Sequence, residues 1–473
     1  MRPVAAEKIP DPEGPTGAPS LAKAIFDLMK LALPLALAQI LSVSIMTTDI
    51  WMMGQLSTLD LAAGSLAIRF YQPFYFFALG LLGVITPFVA QGRGQNDDRL
   101  IRRSFRMGLC LGLVIGILFA IIVAQGSWIL PALGQDPDVV AHADMFLLLS
   151  ALSLPVLTLF LVLRFFVMGF GKTRLQLAAV IVGLTTNLLL NPVLAYGYGP
   201  LPALGLTGIG IGTLISFLVM IIMLVSAIHF TAPFQLYQPF RRWWVMDWQI
   251  TKRQLRIGFP NAVMITTETS MFAIASIMIG AYGASALAAA AIANQVAALT
   301  FMLPLGIAQA AAITLGLAAG KNNSAMLLIM GKAALIMGSF ITLIMMICLW
   351  LGMDGIISLF LRADNGDFQQ VRTIAISLFI ITALFQIPDG LQAILSGGLR
   401  GINDTFWPAI IGLISFWAIG LGSAYLMGFT WALGPGAIWA GVALGLVVAT
   451  IGLVVRWQMR MKAIAKGGQI LLQ

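Results

Sequence analysis

Charge is what this sequence has least of. Only 10% of its 473 residues are charged and 60% are hydrophobic, whereas a soluble domain averages about 25% charged and 45–50% apolar residues. The mean hydropathy is +0.96. This balance excludes a soluble globular domain, a disordered chain and an ordinary nucleic-acid binder, despite a net charge of +9. Cysteine is nearly absent too. Cys110 and Cys348 sit inside apolar runs, which rules out a disulfide framework or a zinc site. Two histidines, His142 and His229, are too few and too far apart to ligate a metal. There is no phosphate-cradling GxxxxGK[ST] loop, no HExxH, and no soluble segment large enough to hold ATP. No enzyme and no cofactor are therefore expected. Any transport would run downhill or draw on an ion gradient.

Long apolar runs are abundant. A bilayer core of roughly 30 Å needs about 20 apolar residues per helix. Twelve runs meet this, at 29–53, 67–91, 107–132, 143–169, 174–197, 206–230, 257–281, 286–317, 325–352, 372–398, 406–430 and 436–458. Residues 1–24 carry five prolines and read as a polar tail rather than a signal peptide. With twelve helices, 22 Lys and Arg fall in the segments on one side and only Arg362 and Arg372 on the other. The remaining three, Arg69, Arg164 and Lys332, lie within spans and are expected to snorkel toward the interface. The positive-inside rule then predicts cytoplasmic termini. "GRGQN" (92–96) and "GFGK" (169–172) read as helix-end turns, and "RRWW" (241–244) as an interfacial anchor.

The two halves repeat. At an offset of 226, Pro34 meets Pro260 and "LAAGSLA" (61–67) meets "LAAAAIA" (287–293). At 229, Gly205 and Gly212 meet Gly434 and Gly441. Six helices per repeat is an even number, so both repeats enter the membrane the same way, related by an axis along its normal. The expected divisions are a cytoplasmic tail at 1–24, an N-terminal six-helix lobe at 25–230, a cytoplasmic linker at 231–256, a C-terminal lobe at 257–460 and a tail at 461–473.

Ionisable residues near mid-membrane cost at least about 2.5–3.5 kcal/mol on insertion scales, so those retained mark function or pairing. Three acids stand inside apolar spans: Asp49, Glu268 and Asp389. Asp49 has Thr47 and Thr48 beside it. In helix five, Asn187 and Asn191 are four residues apart and share a face, and Pro192 follows. Thr213 lies in the glycine-rich start of helix six. These groups supply oxygen ligands for a hard cation or members of a proton relay; interhelical hydrogen bonding is the alternative for the asparagines. Glu268 lies among Thr266, Thr267 and Thr269 in helix seven. Asp389 follows Pro388 in helix ten, where a proline and Gly390 are expected to break the helix and free carbonyls. Asn294 and Gln295 of helix eight add amides that could face the same cavity.

Several segments resemble the multidrug and toxic compound extrusion (MATE) transporters. "TTDIWMMGQLSTLDLAAGSLA" (47–67), "GFGKTRLQLAAVIVGLTTNLLLNP" (169–192), "GFP" followed eight residues after Pro260 by Glu268, and "PDGLQAILSGGLRGIND" (388–404) carry the resemblance, which covers about residues 25 to 460. The paired Glu268 and Asp389 point to the bacterial NorM-like branch. The resemblance implies an all-α integral membrane protein, with two six-helix bundles of parallel topology in a V-shaped arrangement around a central cavity. It implies efflux of cationic amphipathic drugs or dyes across the bacterial inner membrane in exchange for Na⁺ or H⁺, with no nucleic acid and no obligatory protein partner. Glu268 and Asp389 would be the coupling-ion site of the C-terminal lobe, a metal site if the ion is Na⁺. Asp49, Asn187, Asn191 and Thr213 would be the polar cluster of the N-terminal lobe. Phe385 stands one turn before Asp389, where some relatives carry a tyrosine, which leaves proton coupling open. A flippase for a lipid-linked substrate is the competing reading, with a basic cavity expected instead of an acidic one.

Overall fold

The computed structural model describes residues 19–198, 202–241, 245–360 and 368–471. Arg242, Trp243, Trp244, Arg362 and most of the 1–24 tail lie outside them. The described residues form helices and no strand. Twelve helices are long and apolar enough to cross a membrane, as the composition requires. They are α1 Leu21–Leu56, α2 Thr58–Gln95, α3 Asp98–Ala124, α4 Pro137–Gly169, α5 Thr173–Tyr196, α6 Gly205–Phe230, α7 Trp248–Gly280, α8 Ala284–Gly320, α9 Ser324–Ser358, α10 Val371–Gly401, α11 Phe406–Thr430 and α12 Pro435–Ala465. Most extend past the apolar windows because a helix leaving the bilayer need not stay apolar. Thus α7 begins at Trp248, within the segment expected to be linker.

Local chemistry fixes the helix starts. The Ser57 hydroxyl accepts from the Asp60 amide to cap α2, the Asp97 carboxylate accepts from Arg99 and Leu100 to cap α3, and Asp136 with Pro137 opens α4. The helices are polarised opposite to those of soluble proteins. Along α3, Val114, Ile117, Leu118 and Ile121 form an exposed apolar stripe, while Gly108, Gly112 and Gly116 are buried against α4. Exposed isoleucine and valine at helical spacing is what a lipid-facing surface demands, and small residues let the inner faces approach.

The chain forms two compact units, one containing Leu37–Gly258 and the other Phe259–Gln473 together with Ala18–Ala36. The second unit therefore includes the first turns of α1. There Ala24 is buried with Met330 and Ala333, and a Cβ on Gly306 would lie only 2.7 Å from the Ala36 amide nitrogen and from its Cβ. In the first unit, the segment after α6 packs back on the bundle. Phe234 packs tilted against Phe166 and edge-on against Phe170, and Asp247 pairs with Arg103 at 3.0 Å.

One expectation about helix geometry is corrected. The helix α10 continues without a break through Pro388 and Gly390, and α5 continues through Pro192. The Thr450 hydroxyl of α12 donates to the Pro388 carbonyl at 2.7 Å, tying α12 to this turn of α10. The irregular helix is instead α11, which is π-helical over Ile414–Leu421 and again over Leu426–Thr430.

Candidate functional site

The first unit gathers its polar cluster from three helices. Asp49 of α1 is 5% exposed, and Asn187 and Asn191 of α5 are fully buried. Asp49 Oδ1 accepts from Asn187 Nδ2 at 3.0 Å and from Asn191 Nδ2 at 2.7 Å. Its Oδ2 accepts from the Thr213 hydroxyl of α6 at 2.9 Å, and Asn187 Nδ2 also reaches Thr213 Oγ1 at 3.2 Å. The four residues expected to act together thus do meet. The spacing of the asparagines puts both amides on one face, and Gly212 makes room for them: a Cβ there would collide with the Asn191 amide oxygen. Thr47 and Thr48 do not join. Their hydroxyls donate to the carbonyls of Val43 and Ser44 one turn back, as threonines in helices commonly do.

The donors all serve the carboxylate, so the amide oxygens are left over. Among the described residues, Asn187 Oδ1 and Asn191 Oδ1 are buried without a hydrogen-bond partner. A buried acceptor without a donor is costly, and oxygens of this kind are the ligands a hard cation takes.

In the second unit, Glu268 of α7 is half-buried and Asp389 of α10 is 3% exposed. Glu268 feels the charge of Asp389. Gln392, one turn beyond Asp389, donates its Nε2 to Glu268 Oε1 at 2.7 Å. Asp389 Oδ1 and Gln392 Oε1 are both buried without a partner among the described residues. Two carboxylates and an amide thus present oxygens but too few donors to satisfy them. The donor set is all oxygen, which suits Na⁺ or a shared proton and offers nothing to a softer metal. No group of three or more His, Cys, Asp or Glu residues that could hold a metal occurs among the described residues. Thr267 and Thr269 donate to backbone carbonyls in their own helix, leaving the Thr266 hydroxyl buried and unsatisfied.

Phe385 is 1% exposed. It lies within an aromatic group, 6.0 Å from Phe272 and 6.2 Å from Trp439 between ring centroids. Phe385 and Phe272 stand one turn from Asp389 and Glu268 along α10 and α7, so aromatic rings border the acidic pair. Asn294 and Gln295 are half-buried, and no hydrogen bond joins either to Glu268 or Asp389 among the described residues.

Two contributors escaped the sequence. Gln392 had a readable signal, since it is three residues from Asp389 and so on the same helix face. Arg164 was expected to snorkel, but its side chain is only 1% exposed and donates to the Gln39 amide oxygen of α1. Arg69 and Lys332 are exposed.

Comparison with known proteins follows the same division. The MatE family model matches residues 34–193 and 260–426, two copies that start at the prolines related by the 226-residue repeat. The chain is 34% identical to the probable multidrug resistance protein NorM of Agrobacterium fabrum, over 91% of this chain and 93% of that protein. It is 34% identical to its namesake in Mesorhizobium japonicum over the same shares. Among solved structures, the eukaryotic MATE transporter AtDTX14 superposes with a TM-score of 0.83 at 17% identity, covering 94% of this chain and 99% of that one. An outward-facing multidrug resistance MATE transporter gives 0.84 at 19% identity, with 95% and 99% covered. The fold is therefore that of the MATE transporters, and the protein is a multi-pass membrane protein. With a family model spanning both repeats and NorM relatives matched almost end to end, this chain belongs to the MATE family of multidrug transporters, in its bacterial NorM-like branch.

Proposed function

We propose that the protein is a secondary antiporter of the bacterial cytoplasmic membrane, with both termini in the cytoplasm, that exports cationic amphipathic compounds in exchange for Na⁺ or H⁺. The observation that carries this reading is half-buried Glu268 beside buried Asp389, with Asp389 Oδ1 and Gln392 Oε1 left without donors among the described residues. Two like charges side by side cannot both persist without a cation or a proton between them. A coupling ion satisfies the site, and its departure leaves an arrangement that must change. Exchange follows if cargo and ion favour different conformations of the same protein. In the first unit, Asp49 with its two asparagines would take a proton or the positive charge of the cargo. Acidic interior charge suits cationic cargo and disfavours the lipid-linked anions a flippase would carry.

The test is ethidium efflux from liposomes holding the purified protein, driven separately by imposed Na⁺ and proton gradients. Glu268→Gln and Asp389→Asn should each insert and fold yet lose ion-driven efflux by at least about tenfold, the cost of about 1.4 kcal/mol of ion-binding energy. Asp49→Asn should abolish drug resistance at near-normal membrane expression. Wild-type pumping by both C-terminal variants under either gradient would remove the coupling role from the pair.

A further inference from the structure

The segment after α6 is fixed to the bundle along one side only. Phe234 and Tyr237 place their ring centroids 5.0 Å and 5.1 Å from Phe170, and Phe240 lies 5.4 Å from Phe105. Gln235, Gln238 and Arg241, next in sequence to these anchors, are exposed. Between this segment and the last turn of α6 lies a cavity of about 520 Å³. Ile228 and His229 of α6 line it, facing Gln235, Gln238, Pro239 and Arg241 of the segment, and its wall is mostly hydrocarbon. Phe230 and Leu236, adjacent in sequence to lining residues, are 71% and 51% exposed. The cavity sits where the apolar span of α6 ends, which is headgroup depth in a bilayer.

The charges at this cavity are of one sign. Arg241 donates its Nη1 to Gln238 Oε1 at 3.1 Å, a neutral partner that leaves its charge uncancelled. Arg106 of α3 reaches the same wall from the bundle, where its Nε donates to the Pro239 carbonyl at 3.3 Å. No carboxylate lines the cavity among the described residues. The one acid between 231 and 256 is Asp247, and Arg103 engages it at 3.0 Å. Water gains little from a hydrocarbon wall. A free inorganic anion would leave that wall uncovered. A cationic compound would meet two guanidinium groups and no counter-charge. An anionic amphiphile satisfies both the wall and the charge.

We propose that this cavity is a binding site for one anionic phospholipid, with its phosphate against Arg241 and Arg106 and the start of an acyl chain along Ile228 and Pro239. The site does not depend on the antiport reading, and its leaflet follows the orientation proposed above. Any basic surface draws anionic lipid diffusely. A cavity differs in that it holds a single molecule and needs hydrocarbon contact as well as charge. A lipid bound there joins the end of α6 to the segment that leads into α7.

The experiment is native mass spectrometry of the delipidated protein, titrated with dioleoyl phosphatidylglycerol or dioleoyl phosphatidylcholine. One phosphatidylglycerol should bind at least about tenfold more tightly than phosphatidylcholine. Arg241→Gln, at an exposed position, should weaken it roughly fivefold, the share of one basic side chain at a membrane surface. Gln235→Trp keeps both arginines but fills the cavity, and should also weaken it. Arg99 is exposed at the start of α3 and does not line the cavity, so Arg99→Gln should leave the affinity unchanged. Equal binding of the two lipids overturns the proposal, as does wild-type affinity in either Arg241→Gln or Gln235→Trp. An equal loss in Arg99→Gln would reduce the effect to diffuse attraction and overturn it too. Displacement of the lipid by inorganic phosphate would make this a free-anion site, and displacement by ethidium a cargo site; either result overturns the lipid assignment.

Discussion

At the residue scale, the buried acids are of two kinds, and their surroundings tell them apart. Asp404, just past α10, meets Arg456 Nη2 at 2.8 Å and Arg460 Nε at 3.5 Å. Burial pushes its carboxyl up, and the two guanidinium groups pull it back down. Arg460 in turn donates to the carbonyl of Ile470 at 3.0 Å, fastening the chain after α12. This is an acid with its counter-charge built in, and its removal strands two arginines. Asp404→Ala should cost roughly 3 kcal/mol of stability, the usual loss when one partner of a buried pair is deleted. Asp404→Asn should recover part of that, since its amide oxygen still accepts from Arg456. Thermal unfolding in detergent measures both, and equal melting of the alanine variant and the wild type would contradict the pairing. Among the described residues, no arginine pairs with Asp49, Glu268 or Asp389. The sequence could single out all three by their place in apolar runs, and could group Asp49 with Asn187, Asn191 and Thr213. It could not tell that Arg164 turns inward, because a basic residue in a span has the same local pattern whether it snorkels or stays. That choice is made by Gln39 and Gln176, distant in sequence on α1 and α5, whose amide oxygens accept from its guanidinium.

At the element scale, the twelve helices were legible because lipid demands continuous apolar length, and length survives in the sequence. The helix irregularities were misread for a related reason. A proline removes one donor locally, but the rest of the ladder can carry the helix on, as α10 continues through Pro388. The π-helical stretches of α11 carry no proline at all. The close approach of α5 and α6 yields a sharper prediction. Gly212→Ala sets a methyl group where the Asn191 amide oxygen lies, so the 2.7 Å bond from Asn191 to Asp49 must lengthen or break. The variant should express normally and lose cation binding to about the extent of Asn191→Leu. Efflux at the wild-type rate would show that the asparagine tolerates displacement. Gly212→Val, with more bulk, should additionally lower the melting temperature.

For the whole molecule, the orientation proposed from the basic residues can be tested by labelling. With Cys110 and Cys348 replaced, single cysteines at Asp136 and Leu433 should react from outside in intact cells. Leu433 is 61% exposed and is preferable to its neighbour Gly434, whose φ of +88° disfavours any side chain. Reaction only after permeabilisation would invert the topology. The repeat suggests a protein divisible into two equal genes, but the first helix argues against it. The second unit holds the opening turns of α1 against Gly306 and Met330. A fragment beginning at Phe259 would therefore carry an uncovered stripe of small residues, and a fragment ending at Gly258 would carry a helical overhang with no partner. The halves are alike in sequence, yet the second draws part of its packing from α1. Two separately translated halves should accumulate only when made together in one membrane, the first supplying to the second a strip of helix that the second cannot encode.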